Sequence, residues 1–401
     1  MADHDIRVLD ESNVREAHTL FRNALHVGPA PDEMWERVKD SYVPGRAFGA
    51  FHGDELVGTT KSWASSMAVP GGAEIPMAAV SRIGVRADWT RRGVLSALLR
   101  HQLRTFQEAG EIASTLRASE AVIYGRFGYG VATRGRTVRF DRVRSTLHAG
   151  NPGQIRLVDN DTAEHLVPEL YTKLGLHRPG MHTRWPEWWT MNLSRGLRED
   201  NAKVAVHTGP DGDDGYLVYS VKAADYGHPD SRAVLTVRDS AAATSEAWSA
   251  LWRFAFRVDV VDDVVGALRP LDEPLEWLVV DRRRAKVTEV EDETWLRLVD
   301  VQATLSARAY GTAEPVVLEV RDRFLPDNNG AYRITPDGAD RTDESPDLAL
   351  DVDLLAATYL GDVRFTTLAD AGRIEVANPD ALKRADTLFA TDRAPWSGTY
   401  F

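Results

Sequence analysis

Val80-Ser81-Arg82-Ile83-Gly84-Val85 reads as a strand. Five residues on, Arg91-Arg92-Gly93-Val94-Leu95-Ser96 opens a helix whose Leu95, Leu98, Leu99, Leu103 and Phe106 share one face. A strand feeding directly into an amphipathic helix is the repeating step of a layered α/β architecture. Further strands at 6–9, 46–51, 56–66 and 112–116, and a helix from Ser12 carrying Val14, Ala17, Leu20 and Phe21, extend the plan over residues 1–145. The turn between strand and helix is also an anion site in outline. The first backbone N–H groups of a helix lack intrahelical partners, and its dipole favours negative charge there. Gly93 lets the backbone approach an anion closely, while Arg91 and Arg92 add charge. An ordinary turn with two solvated arginines explains the short motif equally well.

Asn151-Pro152-Gly153 breaks the chain, and from residue 155 the order strand, helices, strands, helix begins again. Residues 146–290 therefore read as an old duplication of the first segment. Where the second copy would place its anion turn stands Arg238-Asp239-Ser240-Ala241-Ala242-Ala243, without glycine and with a carboxylate that repels phosphate. Only the first copy is expected to hold a phosphate-bearing ligand. An acidic connector is expected at 288–293. Residues 291–401 change character, with strands at 316–321 and 330–335 around Pro326-Asp327-Asn328-Asn329 and helices at 352–360 and 378–388. That α+β segment is long enough for a small core of its own. A chain of 401 residues, against ~150 per domain, agrees with three domains.

After the strand ending at Leu116 comes Ser119-Glu120-Ala121-Val122-Ile123-Tyr124-Gly125-Arg126-Phe127-Gly128-Tyr129-Gly130. Ser119 is the expected N-cap of a short helix closed by glycine turns. The turn at 90–96 resembles the pyrophosphate loop of the GNAT acyltransferases, Arg/Gln-x-x-Gly-x-Gly/Ala, with Thr90 and Leu95 at its first and last positions. Together with the Ile-Tyr-Gly-Arg-Phe-Gly-Tyr-Gly run, it resembles the Enhanced intracellular survival (Eis) family of acetyltransferases, in which Leu at that last position is usual. The resemblance covers the whole chain, including Arg178-Pro179-Gly180 and Trp188-Trp189 of the middle segment. It implies tandem GNAT-like domains, a catalytic one at 1–145 and a degenerate one at 146–290, then a sterol carrier protein-like α+β domain at 291–401.

Such a chain would transfer acetyl from acetyl-CoA to an amine by direct attack in a ternary complex. The resemblance places the pyrophosphate on Thr90, Arg91, Arg92, Gly93, Val94, Leu95 and Ser96. It runs the pantetheine arm beside Ile83, Gly84 and Val85, with Ser119 nearby. A backbone N–H near Val85 would meet the oxyanion. Tyr124 becomes the general acid, since a phenol with pKa ~10 is protonated at neutral pH and can give its proton to a leaving thiolate. From the residues alone, a half-buried aromatic closing a turn is the commoner fate of such a Tyr. The general base implied by the family is the chain's terminal carboxylate, here on Phe401, at the end of Trp396-Ser397-Gly398-Thr399-Tyr400-Phe401. An α-carboxyl pKa of ~3.5 leaves direct abstraction, a water relay and electrostatic attraction of the ammonium all open.

For the acceptor, Trp35 and Glu33 on the helical stretch 31–36, with Arg82 and Tyr400, are the expected contacts. An aromatic plate between carboxylates suits a polycation. A solvated acidic helix anchored by one Trp is as good a reading. Arg82 stands where aminoglycoside-acetylating relatives carry an aromatic, and a cation there repels a polyamine. The acceptor is expected to be a multi-amine small molecule, aminoglycoside-like, or a lysine side chain. The resemblance further implies a homo-oligomer, commonly a hexamer. The alternative is a protein that binds an apolar ligand or acyl-CoA without transferase activity.

Composition narrows the remaining classes. Lys+Arg 48 against Asp+Glu 60 gives a net charge of −12, which disfavours nucleic acid as a partner. There are no cysteines, so disulfides, thiolate metal sites and a Cys nucleophile are excluded. The 11 histidines form no His-x-x-x-His or His-Glu pair of metal spacing, and no metal is expected. Met1-Ala2-Asp3-His4-Asp5 has neither a basic nor an apolar region, so no leader is read. No stretch approaches the ~18 apolar residues of a spanning helix. A cytoplasmic protein is expected.

Overall fold

The computed structural model describes residues 4–225, 227–228 and 231–401. Residues 1–3, on which the reading of the N-terminus partly rests, lie outside them. The chain divides into two compact units. One comprises Met1–Thr133, Arg178–Glu187 and Thr294–Phe401; the other comprises Arg134–His177 and Trp188–Glu293.

In the first unit, strands β1 (Asp5–Val8), β2 (Ala47–His52), β3 (Glu55–Ala68), β4 (Glu74–Val85) and β5 (Ala113–Leu116) lie side by side in that order. The first four are antiparallel; β4 and β5 are parallel, joined by helix α3. Residues 295–298 then pair antiparallel with β5. Helices α1 (Val14–Ala24), α2 (Asp32–Val38), α3 (Val94–Glu108) and α4 (Ala121–Tyr124) follow the expected positions. The leucine stripe of α3 buries itself on the sheet, Leu98 beside Phe48 and Val57, and Leu99, Leu103 and Phe106 beside Ala78, Val80 and Leu116.

The same unit holds a five-stranded sheet in the order Gly338–Thr342, Gly330–Thr335, Val316–Arg321, Leu348–Asp351, Glu375–Val376. Its core is filled by Tyr332, Leu355, Tyr359, Phe365 and Phe389, each nearly inaccessible. A buried ion pair, Arg297 to Asp322 at 2.6 Å, ties this sheet's connecting turn to the strand beside β5. The expected helices are Val352–Tyr359 and Pro379–Phe389, the latter capped by Asn378.

The second unit places Asp263–Pro270, Val234–Ala242, Gly212–Lys222, Lys203–Gly209 and Ile155–Val158 in sequence across a sheet. Helix Ser245–Arg257 buries Leu251, Trp252 and Ala255 against Leu217, Leu235 and Val264. Its N-cap, Thr244, accepts the Ala247 N–H.

Three local expectations are corrected. Residues 288–293 are not a connector but part of the strand Ala285–Leu298; Glu289, Glu291 and Asp292 stay in water while Glu293 is buried. Residues 238–242 continue the strand Val234–Ala242 through a bulge between Val237 and Asp239, and pair on to Gly215. No loop forms there that could wrap a phosphate. Ser119 does not cap α4: the N-cap is Glu120, without a side-chain hydrogen bond.

Candidate functional site

Strands β4 and β5 pair only over Met77–Ala79 and Ala113–Thr115, after which β4 runs on to Val85 paired with β3 and no longer with β5. Beyond Ala79 the two parallel strands therefore part, and their facing backbone groups leave the ladder. Beside this gap β4 carries a bulge: Thr59 pairs with Gly84 and Lys61 with Ser81, so Thr60 alone opposes Arg82 and Ile83. Arg82 takes φ 52° there, a left-handed backbone that costs a non-glycine residue energy and clusters at functional positions. An extra residue in one strand releases its N–H from the ladder. The sequence placed the oxyanion donor near Val85; the bulge lies at Arg82 and Ile83, two to three residues before it.

Helix α3 starts at the far end of β4. Its N-cap is Gly93 at φ 87°, with no side-chain cap, and Arg91 is also left-handed at φ 61°. Thr90, Arg91, Arg92 and Gly93 are exposed, Val94 is buried, and Leu95 and Ser96 are partly covered. Thr90 Oγ1 donates to Ala87 O at 2.9 Å and the Arg92 guanidinium lies 4.8 Å over Trp89. A loop this open, at a helix start with N–H groups facing out, fits a diphosphate.

Tyr124, at the end of α4, is 6% exposed and packs in one cluster with Ala78 and Val80 of β4. Burial pushes its phenol pKa up, and a hydrogen bond with Ser119 opposes that. Ser119, expected as a cap, instead meets Tyr124. Tyr129 is fully buried, 2.9 Å from Ser114 Oγ, which agrees with a structural role. The glycines after Tyr124 serve a junction: a Cβ at Gly130 would stand 1.9 Å from Asp353 O of the helix Val352–Tyr359.

Trp35 is not an open aromatic plate between carboxylates; it is the buried anchor of a solvated acidic helix, the other reading of that stretch. Trp35 is 8% exposed, its ring 5.7 Å from His18 and 5.9 Å from Tyr42. Glu33 is bound by Arg37 and Asp32 by Arg15, both at the surface. Arg82 instead lies in a cluster the sequence did not signal. Lys61 Nζ is 3.1 Å from Glu187 and 2.6 Å from Ser41 Oγ. Arg82 Nη2 binds the other Glu187 oxygen, and Trp63 Nε1 donates to Glu187 at 2.8 Å. Lys61 stands 4.0 Å over Trp63 and 4.8 Å over Tyr42, and Arg82 5.0 Å over Tyr42. Burial, then Arg82, pull the Lys61 pKa down to about 6 against the pull of Glu187. His18, whose Nδ1 is 3.1 Å from Tyr42 OH, is held at about 3 by burial first and then by Arg82, Arg22 and Lys61.

The end of the chain comes to the same neighbourhood. Arg178 donates to Ala394 O at 2.6 Å, Arg184 to Gly398 O at 2.8 Å, and Trp396 N to Pro179 O at 2.9 Å. The Phe401 ring lies 5.2 Å from Trp185 and 6.5 Å from Trp63, edge-on. Trp396, Ser397 and Thr399 are buried, but Tyr400 is 60% exposed, beneath the guanidinium of Arg117 at 4.3 Å. Among the described residues, no group of three or more His, Asp or Glu is placed to hold a metal, and no helix is long and apolar enough to cross a membrane.

Comparison with known proteins agrees with this geometry. An acetyltransferase (GNAT) domain matches residues 5–132, a second GNAT domain residues 180–298, and a sterol carrier protein domain residues 301–398. An uncharacterized N-acetyltransferase of Streptomyces avermitilis is 38% identical over 98% of both chains. N-acetyltransferase Eis of Mycobacterium bovis is 33% identical over 91% of both. The crystal structure of Eis1 from Mycobacterium abscessus superposes with a TM-score of 0.90 at 38% identity, covering all of both chains.

Proposed function

This chain belongs to the Eis family of acetyl-CoA-dependent N-acetyltransferases, and we propose how its residues divide the reaction. The catalytic domain is 1–145, the degenerate copy 146–290 contributes Arg178–Glu187 to the acceptor side, and 291–401 delivers the terminus. The observation that carries this reading is the parting of β4 from β5 after Ala79 and Thr115, beside the uncapped start of α3. Residues 90–96 hold the diphosphate, and the opened strand edges pair with the amides of the pantetheine arm as an added strand would. N–H groups of the bulged stretch 82–85 receive the carbonyl oxygen as it gains charge. Tyr124, kept protonated by burial, returns a proton to the leaving thiolate. The carboxylate of Phe401 draws and deprotonates the acceptor ammonium. The acceptor is an amine of a multi-amine small molecule, with aminoglycosides as one class, or a lysine side chain. The family further supports a homo-oligomer, with six copies the expected number, working in the cytoplasm.

A binding protein without transferase activity is the weaker reading, because the relatives are named as N-acetyltransferases and the third domain's interior is filled by its own side chains. CoA release from acetyl-CoA across a panel of polyamines, aminoglycosides and lysine peptides tests the choice. Turnover with at least one amine is expected; none with any would favour the binding protein. Arg92→Glu should raise KM for acetyl-CoA ~10-fold or more by placing a like charge at the diphosphate loop.

A further inference from the structure

We propose that the acceptor of this enzyme carries an anionic group, a carboxylate in the first instance, beside its amine, and that Arg82 is the residue that selects it. The inference rests on the transferase reading above and narrows its acceptor class.

Arg82 and Lys61, the latter held largely neutral by its lowered pKa of about 6, share the single carboxylate of Glu187, whose two oxygens are taken up by Arg82 on one side and by Lys61 and Trp63 on the other. Lys61 is fully buried and Arg82 is 8% exposed. The remaining titratable groups facing them are Tyr42, raised by burial, and neutral His18; neither supplies a negative charge at neutral pH. Arg82 also hydrogen-bonds Tyr42, yet its buried Nη1 atom has no hydrogen-bond partner among the described residues. A buried guanidinium donor left unmade is unfavourable, and the fork geometry of Arg is matched by a carboxylate. This donor belongs to the bulge residue itself, at φ 52° next to the β4–β5 gap.

The Lys61–Arg82–Glu187 cluster also reaches the end of the chain through one ring. Trp63 carries Lys61 4.0 Å over its ring, stacks on Trp185 at 4.8 Å and meets Phe401 edge-on at 6.5 Å. An acceptor with its carboxylate on Arg82 and its amine toward the terminal residue would span that ring. Like charge at Arg82 would meanwhile turn away an acceptor that is cationic throughout, a repulsive element that separates partners of similar shape. Lys61 adds to the preference: an anion docked on the cluster favours its charged form, so binding takes up a proton there.

Two matched pairs test this, cadaverine against lysine and phenethylamine against phenylalanine. Each is titrated calorimetrically into enzyme saturated with CoA, and each is assayed for CoA release from acetyl-CoA. At least tenfold tighter binding of the carboxylate member is expected in one pair or both, with the ratio collapsing toward one in Arg82→Gln and kept in Arg82→Lys. Wild-type ratios at or below one, binding by no member of either pair, or a ratio unchanged by Arg82→Gln would overturn the proposal. Carboxylate-dependent binding that Arg82→Gln abolishes, with no CoA released from any amine, would leave the anion site standing and overturn the transferase reading instead.

Discussion

Tyr124 and His18 are buried titratable groups of the first unit with opposite uses. Tyr124→Phe removes the one hydroxyl proposed to protonate the thiolate while leaving the ring's packing. Steady-state assays should show kcat down ~100-fold or more, the range of a lost general acid, with KM for acetyl-CoA little changed; an unaltered kcat removes the residue from that role. His18 makes its prediction through stability. Its folded pKa of about 3 lies below the unfolded value of 6.5, so between those values the unfolded chain binds a proton that the folded one refuses. Stability therefore falls as pH drops from 6.5 toward 3, on top of the carboxylate titrations. Urea melts at pH 7 and pH 5 should lose less stability between them in His18→Gln than in the wild type; equal losses would contradict the buried neutral imidazole. Tyr124 was legible because it sits inside a long glycine-punctuated motif. Lys61 and Glu187 were not: they are 126 residues apart, each is ordinarily a surface type, and only tertiary packing brings them under Trp63.

The strands and helices of the first 133 residues follow their sequence patterns closely, because apolar stripes such as that of α3 have one face to bury. Periodicity does not report a bulge. Thr59–Lys61 and Ser81–Gly84 look like unbroken strands, so the irregularity at Arg82 and Ile83 could not be read from them. The acidic 288–293 stretch failed for another reason, since charge alone does not distinguish a solvated strand face from a connector. The run Gly125–Gly130 was read as glycine turns closing a short helix, and part of its composition answers to the helix Val352–Tyr359. Gly130→Ala would drive a methyl into the Asp353 carbonyl; because backbone must move, destabilisation near the upper end of ~1–3 kcal/mol is expected. Thermal unfolding checks this, and an unchanged Tm would mean that the helix is not held there.

At the scale of the chain, three segments were readable from changes in composition and from the repeated strand–helix order. What no sequence pattern indicated is that Arg178–Glu187, embedded in the middle segment, belongs with the first and third in one compact unit. That segment holds residues 394–398 through Arg178, Pro179 and Arg184. The Arg297–Asp322 pair has a similar task between the strand beside β5 and the third domain. Both side chains are buried, so Arg297→Met would strand the carboxylate and should destabilise by ~3–5 kcal/mol in chemical denaturation; a change under ~1 kcal/mol would contradict a tightly closed junction. The proposed reaction requires the last residue to complete the catalytic centre. Its most direct test is kcat, with acetyl-CoA affinity measured alongside, in protein lacking Phe401 and in protein extended by two residues beyond it. A fall of ~100-fold in kcat with affinity held within about twofold is predicted for both. Full turnover in either would contradict a catalytic role for the Phe401 carboxylate.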